Sequence, residues 1–152
     1  MRVVIIGGSG HVGTYLVPRL VAAGHQVISV SRQQSESYQP HAAWQAVQQV
    51  AIDRVEAERK TEFGEKIRAL APDVVIDMIC FTPDSAQQLV EALRGRVQHF
   101  LHCGTIWVHG PSEQVPTRES QPRTPFGEYG KNKAAIEAYL LAQASRSGLP
   151  AT

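Results

Sequence analysis

The chain has 152 residues, of which 43% are hydrophobic and 19% are charged, a composition typical of one soluble globular domain. Its formal net charge of +1 argues against the concentrated basic face with which proteins bind nucleic acid or anionic membranes. No apolar stretch approaches the roughly 20 residues of a transmembrane helix, so we expect a cytoplasmic protein without membrane partners.

Short runs rich in valine and isoleucine alternate along the chain with longer segments of helical spacing. This alternation is typical of βαβ units, in which helices cover both faces of a parallel sheet. We therefore predict an α/β fold with a doubly wound parallel sheet in three layers. Strands are predicted at residues 2–6, 26–31, 46–52, 73–80 and 97–103, helices at 11–23, 56–70, 83–94 and 129–147, and loops at 33–44 and 110–128.

Glycines occupy the turn between the first strand and the first helix, at Gly7, Gly10 and Gly13. Backbone amides at such a turn, together with the positive end of the helix dipole, can bind a diphosphate. Gly7 would permit the tight turn, Gly10 the approach of the diphosphate, and Gly13 the packing of the helix near the strand. The spacing is GxxGxxG, and any tight turn can recruit glycine. The strand-helix context favours a diphosphate cradle.

Two segments that follow strands contain candidate contacts for the adenosine half of a dinucleotide. An acidic residue after the second strand often binds the ribose of NAD, whereas arginine can bind the 2′-phosphate of NADP. Ser31 and Arg32 stand there, so the sequence favours NADP over NAD unless Arg32 is a solvated loop residue. Asp53 follows the third strand, where it either accepts a hydrogen bond from the adenine amino group or caps the next helix.

Three residues near the carboxyl end supply candidate catalytic groups. Tyr129 and Lys133 are four apart on a predicted helix and share one face. A lysine ammonium beside a phenol favours the phenolate, which makes Tyr129 a usable proton donor or acceptor. Thr105 follows the fifth strand, at the edge where open α/β sheets bind ligands. The alternatives are a tyrosine packed beside a solvated lysine, and a threonine that caps the following turn.

The cysteine and histidine residues give no sign of a metal site. Cys80 and Cys103 fall in predicted strands and are interpreted as buried free thiols. His99, His102 and His109 are close in sequence, but no carboxylate joins them at ligand spacing.

Together these features resemble the extended short-chain dehydrogenase/reductase family, the NAD-dependent epimerase/dehydratases, over essentially the whole chain. The resemblance implies a Rossmann-type fold in which Tyr129 acts as acid or base, Lys133 holds the nicotinamide ribose and Thr105 orients the substrate oxygen during hydride transfer. The matching motifs are Gly7-x-x-Gly10-x-x-Gly13, Asp53, residues 72–76, residues 105–110 and Tyr129-x-x-x-Lys133. The resemblance places His11 and Val12 beside the diphosphate, Ser31, Arg32, Ile52 and Asp53 around the adenosine, and Cys80 and Phe81 near the nicotinamide.

Some positions depart from the family pattern. Residues 78–80 stand where many relatives have small alanines, and we expect them to crowd the cofactor. In the segment after the fifth strand, His109 stands where the family usually has a tyrosine. Residues 103–104 stand where hydroxyl residues are common, so Thr105 is the hydroxyl residue that this segment retains. Members of the family continue beyond residue 150 with a sixth strand and a smaller substrate domain. We therefore expect residues 1–152 to be an incomplete NAD(P)-binding domain, part of a longer protein.

The resemblance implies an enzyme that acts on a hydroxyl or carbonyl group of a small molecule, such as a sugar or sugar nucleotide. The alternative is a non-catalytic dinucleotide-binding regulator or scaffold. A regulator needs only the first half of the site, so the presence of Tyr129, Lys133 and Thr105 favours the enzyme. An uncovered sheet edge can pair with another chain, which adds a homodimer to these expectations.

Overall fold

The computed structural model describes residues 1–32, 37–112, 115–147 and 149–152. Within these residues the helices and strands alternate as the sequence predicts. The strands are β1 (Arg2–Ile6), β2 (Gln26–Ser31), β3 (Gln48–Ala51), β4 (Val74–Asp77) and β5 (His99–His102), and the α-helices are α1 (His11–Ala22), α2 (Arg54–Arg59), α3 (Phe63–Ala69), α4 (Pro83–Leu93) and α5 (Gly127–Ser147).

The strands form one parallel sheet of order β3-β2-β1-β4-β5. From β1 the chain moves outward to β2 and β3, and then crosses to the other side of β1 for β4 and β5. The predicted doubly wound parallel sheet is therefore confirmed. The direction of winding reverses between β1 and β4, and open α/β sheets bind ligands at such a switch point, outside the carboxyl ends of the strands.

Alternate residues of β1 face two separate apolar cores. Val4 and Ile6 pack in a cluster with side chains of α3, α4 and α5, whereas Val3 and Ile5 pack in a second cluster with Val17 of α1. Because successive side chains of a strand point to opposite faces, an apolar run without polar interruption indicates burial on both sides. The two cores give the domain its three layers.

The segment predicted as one helix at residues 56–70 is broken into α2 and α3. Asp53 starts α2 earlier than predicted, because its side chain accepts a hydrogen bond from the backbone N–H of Glu56. Between the two helices Thr61 has a φ of 57°, a left-handed conformation that interrupts helical hydrogen bonding. The break turns α3 onto the sheet, where Phe63 and Ile67 are fully buried.

Two short 3₁₀ helices lie in segments without a predicted helix. Ala42–Ala46 includes part of the predicted loop at residues 33–44, of which residues 33–36 lie outside the described part of the chain. Ile106–His109 follows β5 and ends at Gly110, whose φ of 69° suits glycine.

The end of the chain lies beside β5. Phe100 N donates to Pro150 O at 2.7 Å, Thr152 N donates to Phe100 O at 2.9 Å, and the bridge between Phe100 and Ala151 is parallel. The family resemblance implied a sixth strand beyond residue 150, and in the structure residues 150–152 pair with β5. None of the helices in the described residues has both the length and the apolar character needed to cross a bilayer.

Candidate functional site

The turn between β1 and α1 is built from backbone contacts among glycines. Gly7, with a φ of 86°, donates its N–H to Val30 O at 2.9 Å, and Gly10 donates to Gly7 O at 3.1 Å. Gly10 precedes the first residue of α1 without capping it through a side chain, and the first helical turn has no acidic residue. The positive end of α1 is therefore not neutralised by the helix itself, an electrostatic setting that suits an anion.

Steric contacts at this turn explain why two of the positions are glycine. A Cβ atom on Gly13 would lie 1.9 Å from the carbonyl oxygen of Gly8, so α1 can begin against the turn only because Gly13 has no side chain. A Cβ on Gly7 would lie 2.9 Å from Ile79 Cγ2. Of the residues expected to crowd a cofactor, Ile79 comes nearest to the turn, and Met78 Cβ would lie 3.4 Å from the same added atom.

We expect Gly13→Ala to destabilise the fold by about 1–3 kcal/mol and to weaken dinucleotide binding severely, because the new methyl group forces α1 away from the turn. Gly104→Ala is the matched control, since a Cβ there meets no atom within 4 Å. Urea unfolding and calorimetric titration with NADP measure the two effects. Equal NADP affinity in the two variants would contradict the assignment of a cradle to this turn.

A cavity of about 670 Å³ opens beside the turn. Its volume is in the range of small-molecule and cofactor sites. All four residues predicted to surround the adenosine line this cavity. Of the other residues predicted to bind the cofactor, His11, Val12, Gly13, Cys80 and Lys133 do not line it. From the predicted set the lining includes Gly7, Gly10, Ser31, Arg32, Ile52, Asp53 and Phe81.

Arg32 and Asp53 both line this cavity but differ in their contacts. Arg32 is exposed at the end of β2, so its guanidinium can meet a phosphate in solvent. Asp53 Oδ1 accepts a hydrogen bond from Glu56 N at 3.0 Å, which is the capping alternative. A carboxylate has two oxygens, so this cap is compatible with a second bond to adenine, and the adenine role of Asp53 stays a prediction.

The sequence reasoning missed a buried ion pair at the wall of the same cavity. Arg54 is 8% exposed and Asp77 is fully buried, and Arg54 Nη1 donates to both Asp77 oxygens, at 2.7 and 3.0 Å. Burial is the largest effect and opposes the charge of Arg54, but Asp77, with smaller contributions from Cys80 and Glu58, raises the Arg54 pKa overall. An aspartate that ends the apolar run Val74–Asp77 was the available sign of a buried charge.

This ion pair extends into a chain of hydrogen bonds. Arg54 Nε donates to Glu58 Oε1 at 2.5 Å, and Ser85 Oγ donates to Glu58 Oε2 at 2.6 Å. Arg54 Nη2 is buried and has no hydrogen-bond partner among the described residues. A buried donor at the wall of the cavity fits a polar ligand such as a nucleotide.

Lys133 is buried at the carboxyl ends of β4 and β5. The residue is 2% exposed, and its Nζ donates to Cys80 O at 3.0 Å and to Cys103 O at 2.6 Å. Burial lowers the pKa of Lys133. Gly130 lets α5 approach this edge, because a Cβ on Gly130 would lie 3.0 Å from Trp107 O. The solvated-lysine alternative does not describe this side chain.

Tyr129 lies one helical turn before Lys133 and is 45% exposed. Its ring centroid is 6.3 Å from that of Phe81, and Lys133 Nζ lies 5.7 Å from the Phe81 centroid. The fold therefore brings a partly exposed phenol and a buried ammonium next to one aromatic ring. Thr105 Oγ1 accepts from Trp107 N at 3.4 Å, the capping alternative, and its hydroxyl hydrogen can still be donated to a substrate.

The two thiols differ in exposure. Cys80 is buried, and burial together with Asp77 raises its pKa to about 12. The interpretation of Cys103 as buried was wrong: β5 ends at His102, and Cys103 is exposed in the segment that follows. Within the described residues no three His, Cys, Asp or Glu side chains form a group that could hold a metal ion.

Sequence comparison matches the chain to one protein family and to several characterised relatives. The model of the NAD dependent epimerase/dehydratase family matches residues 3–152. The chain is 33% identical over 142 residues to 2'-dehydrokanamycin reductase of Streptomyces kanamyceticus, covering 93% of this chain and 38% of that protein. It is 25% identical over 162 residues to UDP-glucose 4-epimerase of Azospirillum brasilense, covering 97% of this chain and 46% of the relative. It thus spans less than half the length of these two relatives.

Solved structures share the same fold. A UDP-galactose 4-epimerase crystal structure superposes with a TM-score of 0.80 at 24% identity, covering 99% of this chain and 54% of that one. The UDP-glucose 4-epimerase of Brucella ovis in complex with NAD superposes with a TM-score of 0.76 at 20% identity, covering 99% and 50%. At these identities the likeness concerns the Rossmann-like fold of the shared half.

Proposed function

Since the chain belongs to the NAD-dependent epimerase/dehydratase family, we propose that it binds NADP in preference to NAD and takes part in hydride transfer at a hydroxyl or carbonyl group of a sugar-type substrate. The observation that carries this proposal is the position of Lys133, held by the carbonyl oxygens of Cys80 and Cys103 near the ring of Phe81, which in turn lies near the ring of Tyr129. A buried ammonium at the sheet edge beside an exposed phenol suits proton transfer.

In this proposal the chain's own residues bind, orient and exchange a proton. The bound nicotinamide would donate or accept the hydride. The glycine turn and the first turn of α1 hold the diphosphate, and Lys133 donates to the nicotinamide ribose. Tyr129 gives its proton to the substrate oxygen during reduction and takes one during oxidation, while the Lys133 ammonium favours the phenolate. Thr105 donates a hydrogen bond to the same substrate oxygen.

The sugar-type substrate is proposed from the relatives. One is named as a reductase of 2'-dehydrokanamycin and another as a 4-epimerase of UDP-glucose. Redox chemistry at a substrate carbon that carries oxygen is common to both activities, and the Tyr129, Lys133 and Thr105 set suits that chemistry. A dinucleotide-binding regulator without chemistry is the competing function, and the burial of Lys133 beside Tyr129 argues against it. A homodimer and a cytoplasmic location remain predictions.

Arg32→Ala tests the cofactor preference. We expect NADP affinity to fall about tenfold, because an exposed guanidinium bound to a phosphate contributes a charge-assisted hydrogen bond, and NAD affinity to stay unchanged. Arg19→Ala is the control, since Arg19 is an exposed arginine near the other end of α1. Calorimetric titration of each variant with both nucleotides gives the comparison. Equal affinity of the unmodified chain for NAD and NADP would contradict the proposed preference for NADP.

A further inference from the structure

Lys133 uses all of its hydrogen-bonding capacity within the protein. Besides the carbonyl oxygens of Cys80 and Cys103, Nζ lies 3.2 Å from Nε2 of His102. A lysine ammonium has three N–H donors and no acceptor, so His102 Nε2 must be the acceptor in this third bond. A ribose hydroxyl can therefore accept a hydrogen bond from Lys133 only if one of these three bonds is given up.

The bond to His102 is the one that can be exchanged. The other two acceptors are backbone oxygens just beyond β4 and β5, and Cys103 N donates to Asp77 O at 3.0 Å, which holds that backbone in place. The contact with His102 is the longest of the three and therefore the weakest by distance. Its acceptor is on a partly exposed side chain that can rotate about two torsions, whereas the two carbonyl oxygens can move only with the main chain.

We propose that His102 is a positioning residue, which holds Lys133 in its resting geometry and releases it to the nicotinamide ribose when a dinucleotide binds. The inference rests on the proposed function, because it requires a nicotinamide cofactor in the site. Binding then replaces the Lys133–His102 bond with a Lys133–ribose bond, and His102 reduces affinity at the nicotinamide end alone.

The surroundings of His102 keep its ring neutral, as an acceptor must be. Burial first, and then the neighbouring Lys133 ammonium, lower the pKa of His102 to about 4, while Asp77 acts in the opposite direction and Arg54 adds to the lowering. At neutral pH the proton of the ring is therefore on Nδ1, and Nε2 is available to Lys133.

The test compares two ligands on three proteins. NADP contains the nicotinamide ribose, whereas adenosine 2′,5′-bisphosphate contains only the adenosine half. We expect His102→Phe, which removes the acceptor, to bind NADP about fivefold more tightly, because binding no longer breaks a hydrogen bond worth about 1 kcal/mol. Its affinity for the bisphosphate should stay unchanged. His102→Gln offers an amide oxygen near the position of Nε2 and should match the unmodified chain with both ligands.

Calorimetry provides the dissociation constants, and thermal unfolding shows whether each variant is folded. If His102→Phe does not fold, His102→Leu removes the acceptor with a smaller side chain. Unchanged or weaker NADP binding by the folded variant would overturn the inference, as would an equal change for both ligands. If the unmodified chain binds NADP more tightly than the bisphosphate, the nicotinamide half contributes to binding. The proposed function then stands although the inference about His102 fails. If the folded, unmodified chain binds neither ligand, the proposed function fails and the inference with it.

Discussion

Tyr129→Phe should lower turnover of a sugar-type substrate about 10²- to 10⁴-fold and leave the dissociation constant of NADP unchanged. The substitution removes the phenol oxygen, which exchanges the proton, and keeps the ring that packs 6.3 Å from Phe81. Because Tyr129 is 45% exposed, the loss of its hydroxyl leaves no buried polar group without a partner. The readout is nicotinamide absorbance during turnover over a panel of nucleotide sugars and related ketones.

Tyr139→Phe provides the matched control for this experiment. Tyr139 is on the same helix, α5, but packs against the core formed with α3 and α4. Both variants lose a tyrosine hydroxyl oxygen from α5, so a difference in their turnover depends only on where that hydroxyl lies. Equal turnover in the two variants would exclude Tyr129 from the proton transfer.

Arg54→Met should lower the free energy of unfolding by about 3–5 kcal/mol, because it leaves the Asp77 carboxylate buried without its counter-charge. Asp77 is fully buried, and apart from Arg54 the only described hydrogen bond to its carboxylate is from Ile79 N, at 3.2 Å. Adding Asp77→Asn to the Arg54→Met variant removes the charge and keeps an oxygen for that bond. We therefore expect the double variant to recover most of the loss. Urea unfolding at neutral pH gives the free energy of unfolding of the unmodified chain, the single variant and the double variant.

Arg59→Met is the control for the ion pair. Arg59 also belongs to α2 and pairs with Glu56, but its side chain is 74% exposed, so the loss should stay within about 0.5 kcal/mol. A similar small loss for Arg54→Met would mean that the buried pair does not stabilise the domain. No recovery in the double variant would mean that Arg54 acts through its packing over Phe63 instead.

Local sequence patterns predicted β1 and β2, including the residues at which these strands begin and end. β1 and β2 have the predicted bounds, because each is an apolar run next to a turn that contains glycine. The break between α2 and α3 was not predictable, since the helical spacing continues through it and threonine, a β-branched residue, rarely adopts the left-handed conformation found at Thr61.

The candidate site was predictable where it depends on spacing and not where distant segments meet. Helical spacing placed Tyr129 and Lys133 on one face. The acceptors of Lys133 come from residues 80, 102 and 103, which approach it only when β4 and β5 pair. The pairing of Arg54 with Asp77 likewise joins residues 23 positions apart. Asp53 and Thr105 do cap the segments that follow, and their proposed ligand contacts stay predictions.

A crystal structure of this chain with NADP tests most directly whether the glycine turn and the Tyr129–Lys133 face belong to one site. We expect the diphosphate at the first turn of α1 and a nicotinamide ribose oxygen within about 3.2 Å of Lys133 Nζ, with the ring facing Tyr129. A nucleotide bound away from the turn, or bound there with its nicotinamide out of hydrogen-bond reach of Lys133, would contradict this account.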